Sequence, residues 1–339
     1  ADVLGRLLLC IGISAFIFMP LAGALVQRFG CKKVVITGAT LMALISVLLS
    51  CLPNIWSYAI ALAFFGAVMG ATDVSMNTNA VIVEKLAGRR LLSGMHAFWS
   101  IGCFASAGLF SVLASSGSNV TLIATLHCAI VLALLAVFGR HLLDYKIPGG
   151  EKAFAIPRGI VIVLGILACI SFLVEGAVMD WSGVLLTEVK NMDIALAGTG
   201  YAIFSVAMLI MRLLGDKTVQ FLGEQKAVIG GSIVTAAGFA LVVVLDNLYL
   251  NAFDFILIGL GCANIVPVFY SLLKYQKGMP ISAAVTSVTS LGYTGVILGP
   301  ALLGFVAHGI NISAVFELVA LLLVIEAGIA KYVFCKLKM

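Results

Sequence analysis

The chain has 339 residues, of which 62% are hydrophobic and only 10% are charged, and its mean hydropathy is +1.18. An average soluble domain carries about 25% charged residues. Twenty Lys and Arg and 15 Asp and Glu cannot coat a water-soluble core of this length, whereas a lipid-facing surface needs no such coat. The composition therefore excludes a soluble globular protein.

Apolar runs of about 20 residues, bounded by charge, Pro or Gly, predict eleven membrane-spanning helices. The predicted spans are 4–26, 34–52, 57–83, 95–115, 121–139, 158–178, 194–213, 227–245, 250–273, 280–306 and 313–334. The sequence therefore predicts an all-α polytopic membrane protein.

The basic residues predict the orientation of these spans. Of the 20 Lys and Arg residues, 18 fall on one side of the map, and only Arg6 and Lys190 fall on the other. Because cytoplasmic loops carry an excess of Lys and Arg, we expect a cytoplasmic C-terminus and an external start to this chain. The net charge of +5 is then a sign of orientation, and we expect no nucleic-acid partner.

The longest basic loop, residues 140–157, contains Pro148-Gly149-Gly150 and is predicted to link two bundles. The N-terminal bundle, 1–139, has five predicted helices, and the C-terminal bundle, 158–339, has six. The two bundles differ by 182 − 139 = 43 residues, which is about one helix with its loop. We therefore expect a parent of twelve helices from which the first span is missing.

Two short basic turns bounded by glycine occupy similar places in the two halves. The first contains Gly23, Arg28, Gly30, Lys32 and Lys33, and the second contains Arg212, Gly215, Asp216 and Gly223. Glycine permits the tight turn, and the cations suit cytoplasmic helix ends and lipid phosphates. Parallel repeats of six helices are one way in which transporters are built.

The first turn resembles the G-x-L-x-D-R-x-G-R-K signature of the major facilitator superfamily, and the second is a weaker copy. Gln27 stands where the family has an acidic residue. Five further segments resemble the bacterial branch related to fucose permeases: Asp73–Glu84, His96–Gly102, Glu175–Ser182, Asn264–Pro267 and Gly292–Pro300. The resemblance spans the chain and implies the major facilitator fold, alternating access and proton-coupled movement of a small polar solute across a bacterial inner membrane.

Asp73 is an acid that the sequence places near mid-depth in a span. Asp73, Asn77 and Glu84 fall on one helical face, which predicts a polar stripe. The resemblance implies that an acid on this helix takes part in proton coupling, so Asp73 is a candidate proton carrier and Asn77 a candidate solute contact. The alternative is that Asp73 joins helices through hydrogen bonds.

His96, Trp99 and Glu175 lie near the predicted ends of spans. His96 is a candidate proton relay, and Trp99 is either a stacking surface for the solute or a headgroup anchor. Glu175 is a candidate for proton coupling or a solvated rim residue. Asn264 lies one turn before Pro267, and a proline frees a carbonyl that either a solute or Asn264 itself can use.

The tenth predicted span has two faces. Thr286, Ser290 and Tyr293 form a polar face that is a candidate solute contact, whereas Gly292, Gly295, Gly299 and Gly304 form a small face suited to close helix packing. Glu326 lies deep in the last span, and the sequence offers no role for it.

The sequence thus predicts a monomeric secondary transporter, embedded in a lipid bilayer, for a sugar or related metabolite with H⁺ or Na⁺. The alternative of the same fold is a non-transporting truncated remnant or membrane sensor. The chain shows no cluster of His, Cys and acidic residues typical of an enzyme, and we expect no cofactor and no metal.

Overall fold

The computed structural model describes residues 2–146 and 156–337, and this part of the chain contains thirteen α-helices and no strand. They are α1 (Asp2–Phe18), α2 (Ala22–Phe29), α3 (Cys31–Leu49), α4 (Ile55–Ala87), α5 (Leu92–Ser115), α6 (Val120–Phe138), α7 (Ile160–Val184), α8 (Thr199–Leu222), α9 (Glu224–Val244), α10 (Leu248–Cys262), α11 (Ile265–Leu272), α12 (Ile281–Gly309) and α13 (Ile312–Leu337).

Ten helical segments among the described residues are long and apolar enough to cross a membrane, which confirms an all-α polytopic membrane protein. The other predicted span, 194–213, corresponds to α8. This helix has 24 residues, and it begins five residues later and ends nine residues later than predicted. The prediction that Arg212 lies in a cytoplasmic turn is therefore wrong, because Arg212 lies inside α8.

The chain divides into two compact units. Unit 1 takes its residues from Ala1–Ala87, Ile101–Pro157 and Lys277–Ser290. In it α4 packs against α1, α2 and α3, and α3 also packs against α6. The linker predicted around Pro148 lies outside the described residues, and the bundle boundaries at 139 and 158 stay a prediction.

Unit 2 takes its residues from Gly88–Ser100, Arg158–Gln276 and Leu291–Met339. Its central helix is α9, which packs extensively against α10 and α13. Helix α8 packs against α10, and α7 packs against α13. The start of α5 therefore belongs to the same unit as α7 to α11.

The two basic turns have the same backbone conformation. Gly30 joins α2 to α3 with φ +86° and ψ 154°, and Gly223 joins α8 to α9 with φ +82° and ψ 154°. Only glycine adopts such a conformation without strain. In both copies a glutamine, Gln27 or Gln220, stands three residues before the glycine. This equivalence supports a repeat, but each turn is one residue long.

Most of the predicted turn residues therefore lie in helices. Gly23 and Arg28 lie in α2, and Lys32 and Lys33 lie in α3. Gly215 and Asp216 lie in α8, so their prediction as turn residues is wrong. The physical reason is that a single glycine with positive φ ends one helix and precedes the next, so both flanking helices continue up to it.

In unit 1 the segment after α6 covers the first of these turns. The Cys31 N–H donates to the Tyr145 carbonyl at 2.7 Å, and the Lys32 ammonium donates to the Arg140 carbonyl at 2.8 Å. From α4, the Asn79 amide donates to the Leu143 carbonyl at 2.7 Å. These bonds hold α3, α4 and the end of α6 together at one corner of the unit.

Glycines allow two pairs of helices to approach closely. A Cβ at Gly66 of α4 would clash with the Ile11 carbonyl of α1, and one at Gly70 would lie 2.6 Å from the Ala15 carbonyl oxygen. In unit 2 a Cβ at Gly295 of α12 would clash with the Cys169 carbonyl of α7. Small residues thus serve as contact surfaces here, as interhelical packing in lipid requires.

We expect Gly66→Ala to lower the melting temperature of the detergent-solubilised protein, because the added methyl group forces α1 and α4 apart. Overpacking of this kind costs about 1–3 kcal/mol. Gly102→Ala in α5 is the matched control, since no atom lies within 4 Å of the added Cβ. This control is expected to be neutral or stabilising by up to about 1 kcal/mol. Equal melting temperatures for the two variants would contradict the close α1–α4 contact.

Candidate functional site

Unit 2 contains a buried arginine at the centre of a polar cluster. Arg212 of α8 is 6% exposed, and its guanidinium makes three hydrogen bonds. Nη2 donates to Glu175 Oε1 of α7 at 3.0 Å, Nη1 donates to Ser100 Oγ of α5 at 3.3 Å, and Nε donates to the Ala263 carbonyl at 3.3 Å. A charged side chain inside a span is costly, and the ion pair with Glu175 offsets part of that cost.

The Ala263 carbonyl is available because the chain breaks its helix there. Helix α10 ends at Cys262 and α11 begins at Ile265. Pro267, in the first turn of α11, has no N–H with which to bond the carbonyl four residues earlier, which is that of Ala263. The sequence predicts that the proline frees a carbonyl, which a solute or Asn264 can use. In the structure this carbonyl accepts a hydrogen bond from Arg212.

Asn264 lies beside this break. It is 6% exposed, and its side-chain oxygen Oδ1 is buried without a hydrogen-bond partner. A Cβ at Gly215 of α8 would clash with this oxygen and would lie 2.7 Å from Ser93 Cβ. Gly215 is therefore needed where α8 passes the break, because a side chain there would not fit. Asn264 keeps an acceptor atom without a partner on the residue that follows Ala263, whose carbonyl accepts from Arg212.

His96 completes the cluster from α5. Its Nδ1 lies 2.9 Å from the Leu92 carbonyl oxygen, and its ring centroid lies 5.9 Å from that of Tyr270. The positive charge of Arg212 interacts electrostatically with the His96 ring. When Nδ1 donates to Leu92, Nε2 of the neutral ring is an acceptor. We call Arg212, Glu175, Ser100, Asn264 and His96 the Arg212 cluster.

The other predicted solute contacts are distributed over both units. Trp99 is 59% exposed, in keeping with the alternative of a headgroup anchor. Thr286 and Ser290 belong to unit 1, whereas Tyr293 belongs to unit 2 and makes an edge contact with Phe172 at 5.9 Å. The polar face predicted for the tenth span is thus divided between the two units.

Unit 1 carries the predicted polar stripe on α4. Asp73 is partly buried, and Asn77 and Glu84 are 5% and 2% exposed. The Asn77 amide donates to the backbone carbonyl of Asp73 at 3.0 Å. Among the side chains that the structure describes, no Lys, Arg or His forms an ion pair with Asp73.

Glu326, for which the sequence offers no role, joins three helices of unit 2. Its Oε1 accepts from Ser171 of α7 at 2.6 Å, and its Oε2 accepts from Ser232 of α9 at 3.2 Å. The residue itself is on α13 and is fully buried. Two hydroxyl donors satisfy the carboxyl oxygens, so Glu326 acts as a hydrogen-bonded junction between α7, α9 and α13.

Acidic side chains of α8 and α9 also hold the start of α5. The Asp216 carboxylate accepts from the backbone N–H groups of Ser93 and Gly94 at 3.1 and 2.9 Å, and Glu224 pairs with Arg90 at 2.7 Å. The first N–H groups of a helix have no partner within the helix, and a carboxylate there is stabilising. Asp216 therefore caps α5.

Comparison with known proteins identifies relatives over nearly the whole chain. Residues 1–294 match the model of the Major Facilitator Superfamily. An uncharacterized MFS-type transporter of Yersinia pestis is 40% identical over 331 residues, which cover 97% of this chain and 86% of that protein.

Two solved structures share the fold. The human organic anion transporter MFSD10 has a TM-score of 0.79 at 16% identity, covering 96% of this chain and 83% of that chain. The Escherichia coli fucose:proton symporter has a TM-score of 0.73 at 15% identity, covering 98% and 93%. The similarity to the fucose symporter is structural, since identities this low support only a common fold.

We expect Glu175→Gln to destabilise the protein, because it leaves the buried Arg212 guanidinium without its countercharge. Removing one partner of a buried pair costs about 3–5 kcal/mol, and somewhat less here because the Glu175 side chain is 26% exposed. The measurement is the melting temperature in detergent.

The double variant Glu175→Gln with Arg212→Gln should recover much of this loss, because neither charge remains. Glu317→Gln, which neutralises an exposed acid on α13, should change stability by less than about 0.5 kcal/mol. A Glu175→Gln protein as stable as the Glu317→Gln control would contradict a stabilising ion pair.

Proposed function

This chain belongs to the major facilitator superfamily of membrane transporters, and from this premise we propose that it moves a small polar solute by alternating access. The observation that carries the proposal is the Arg212 cluster, a charged and hydrogen-bonding group of side chains buried in an apolar helical unit. Intramembrane ionisable residues that face the interior of a bundle mark substrate or ion pathways. Alternating access exposes such a site first to one side of the membrane and then to the other.

We propose a sugar or a related metabolite as the solute. The cluster offers both kinds of hydrogen-bonding group, since Asn264 Oδ1 accepts and the amide of the same side chain donates. Two proteins that share the fold are a fucose:proton symporter and a proton:xylose symporter. Asn77, Thr286, Ser290, Tyr293 and Trp99 remain candidate solute contacts.

Proton coupling is the second part of the proposal, with Na⁺ as the alternative coupling ion. Asp73 lacks an ion-pair partner among the described side chains, so no cation opposes its protonation. Glu175 is the counterpart in unit 2, because a proton on its carboxyl would release Arg212. His96 is a candidate relay, since its Nε2 is an acceptor when Nδ1 donates to the Leu92 carbonyl.

We further propose a bacterial inner-membrane location, a monomer and a cytoplasmic C-terminus. The orientation is supported by the sorting of the basic residues. Because Arg212 lies inside α8, it no longer counts among the 18 basic residues on the cytoplasmic side. The count is then 17 basic residues on that side against two on the other. The bias is therefore hardly changed.

We expect Asp73→Asn to abolish accumulation of solute driven by a pH gradient in proteoliposomes, because the amide cannot carry a proton. Exchange of labelled for unlabelled solute needs no net proton movement and should remain. The assay uses a panel of radiolabelled sugars that includes fucose and xylose, with Asp180→Asn, an exposed acid on α7, as the matched control.

An Asp73→Asn protein that still concentrates solute would remove Asp73 from proton coupling. A Na⁺ gradient that drives uptake when a pH gradient does not would identify the other coupling ion. Failure of the wild-type protein to exchange any sugar would favour the non-transporting remnant or sensor.

Two exposed cysteines test the orientation. Cys51 follows α3 at the proposed external end, and Cys335 lies in the last turn of α13 at the proposed cytoplasmic end. In intact cells that express variants with one cysteine each, we expect a membrane-impermeant maleimide to label Cys51 and not Cys335. After permeabilisation both should react. Labelling of Cys335 alone in intact cells would reverse the orientation.

A further inference from the structure

Two polar residues are buried side by side near the start of α10. Asn251 and Asp254 are 1% and 0% exposed, and they are the fourth and seventh residues of the helix. A spacing of three residues places them on the same helical face. At 1.5 Å per residue, both lie within about 10 Å of the helix start.

This face packs against an apolar part of α9. A Cβ at Gly238 of α9 would lie 2.8 Å from the backbone oxygen of Asp254 and 2.7 Å from the Ile258 side chain, so the two helices touch here. From Ala236 to Val244, α9 has no polar side chain. The helix that lies against Asp254 therefore has no side-chain donor to offer it over this stretch.

All four polar atoms of the pair lack a hydrogen-bond partner. They are Oδ1 and Nδ2 of Asn251 and both carboxyl oxygens of Asp254, and each is buried. A buried polar atom without a partner costs about 1–3 kcal/mol, and an uncompensated charge costs more. Four such atoms, on residues three apart on one helical face, offer acceptors and a donor that a small bound species could satisfy together.

Among the described residues, the charges of Asp254, Lys190 and Asp246 add to minus one. Lys190 is the cation that acts electrostatically on Asp254, but its ammonium donates to Asp246 Oδ1 at 2.6 Å and to the Val243 carbonyl at 2.8 Å. The Lys190 side chain is 1% exposed, so its ammonium is fixed in this pair. Asp246 neutralises Lys190, and the negative charge of Asp254 is left without a counterion.

We propose that Asn251 and Asp254 form a binding site for a small monovalent cation such as Na⁺. The Asp254 carboxylate and Asn251 Oδ1 supply oxygen ligands, which hard cations prefer. A water on the cation accepts from Asn251 Nδ2 and so satisfies the fourth atom. One positive charge restores neutrality, whereas a divalent ion would leave an excess. None of these residues belongs to the Arg212 cluster, so the site does not depend on the proposed transport function.

The test is the melting temperature of the purified full chain in detergent, measured in NaCl against choline chloride at constant ionic strength. A ligand that binds only the folded state raises the melting temperature with its concentration. We expect a saturable rise with Na⁺ for the wild-type protein. Asp254→Asn should lose the response, and Asn251→Leu should raise the half-saturating Na⁺ concentration about tenfold or more.

Glu317→Gln is the matched control and should keep the wild-type response, since it removes an exposed acid outside the site. An Asp254→Asn protein that is stabler than wild type in choline and indifferent to Na⁺ would also support the site, because that change removes the uncompensated charge. A wild-type melting temperature that does not change with Na⁺, Li⁺ or K⁺ would overturn the proposal, and so would an Asp254→Asn protein that keeps the response. A melting temperature that changes with pH but with none of these cations would show that the position binds a proton and not a metal ion.

Discussion

The ion pair between Arg212 and Glu175 is the interaction on which the architecture of unit 2 depends. A guanidinium inside a span needs a countercharge and acceptors for its N–H groups, and here they come from three other segments of the chain. The acceptors are a serine in the first half of α5, an acid on α7 and the carbonyl freed by Pro267 in the break between α10 and α11. Any change that protonates Glu175 or reshapes the α10–α11 break must therefore also change how α5, α7 and α8 meet.

The same need accounts for several other polar groups of the described chain. Glu326 is satisfied by two serines and Asp216 by the first N–H groups of α5, whereas Glu224 pairs with Arg90 through Oε1 and keeps Oε2 buried without a partner. These three acids join different parts of the chain. Asn264, Asn251 and Asp254 differ in that none of them forms an ion pair among the described side chains, and each keeps a buried atom without a partner. In an apolar medium such atoms are candidate contacts for a ligand.

The spans could be predicted from the sequence because length and apolarity are physical requirements of a bilayer. The two glycine turns were also predictable, since Gly30 and Gly223 have the conformation that the pattern requires. Arg212 was wrongly assigned to a turn, because a charged residue near the end of an apolar run is typical of a loop. Aligning Gly223 with Gly30 places Arg212 eleven residues before the turn, about 16 Å inside the helix. The partners of Glu326 were not predictable, because Ser171 and Ser232 lie on other helices far away in sequence.

The proposed transport mechanism links binding of a solute to protonation of Asp73 or Glu175. This link is tested by proton movement during solute entry. A pH electrode in a weakly buffered suspension of de-energised proteoliposomes records the external pH as each sugar of the panel is added. We expect alkalinisation with at least one sugar, and none with protein-free liposomes. Entry of a sugar through the protein without any change in external pH would show that solute and proton movement are not coupled.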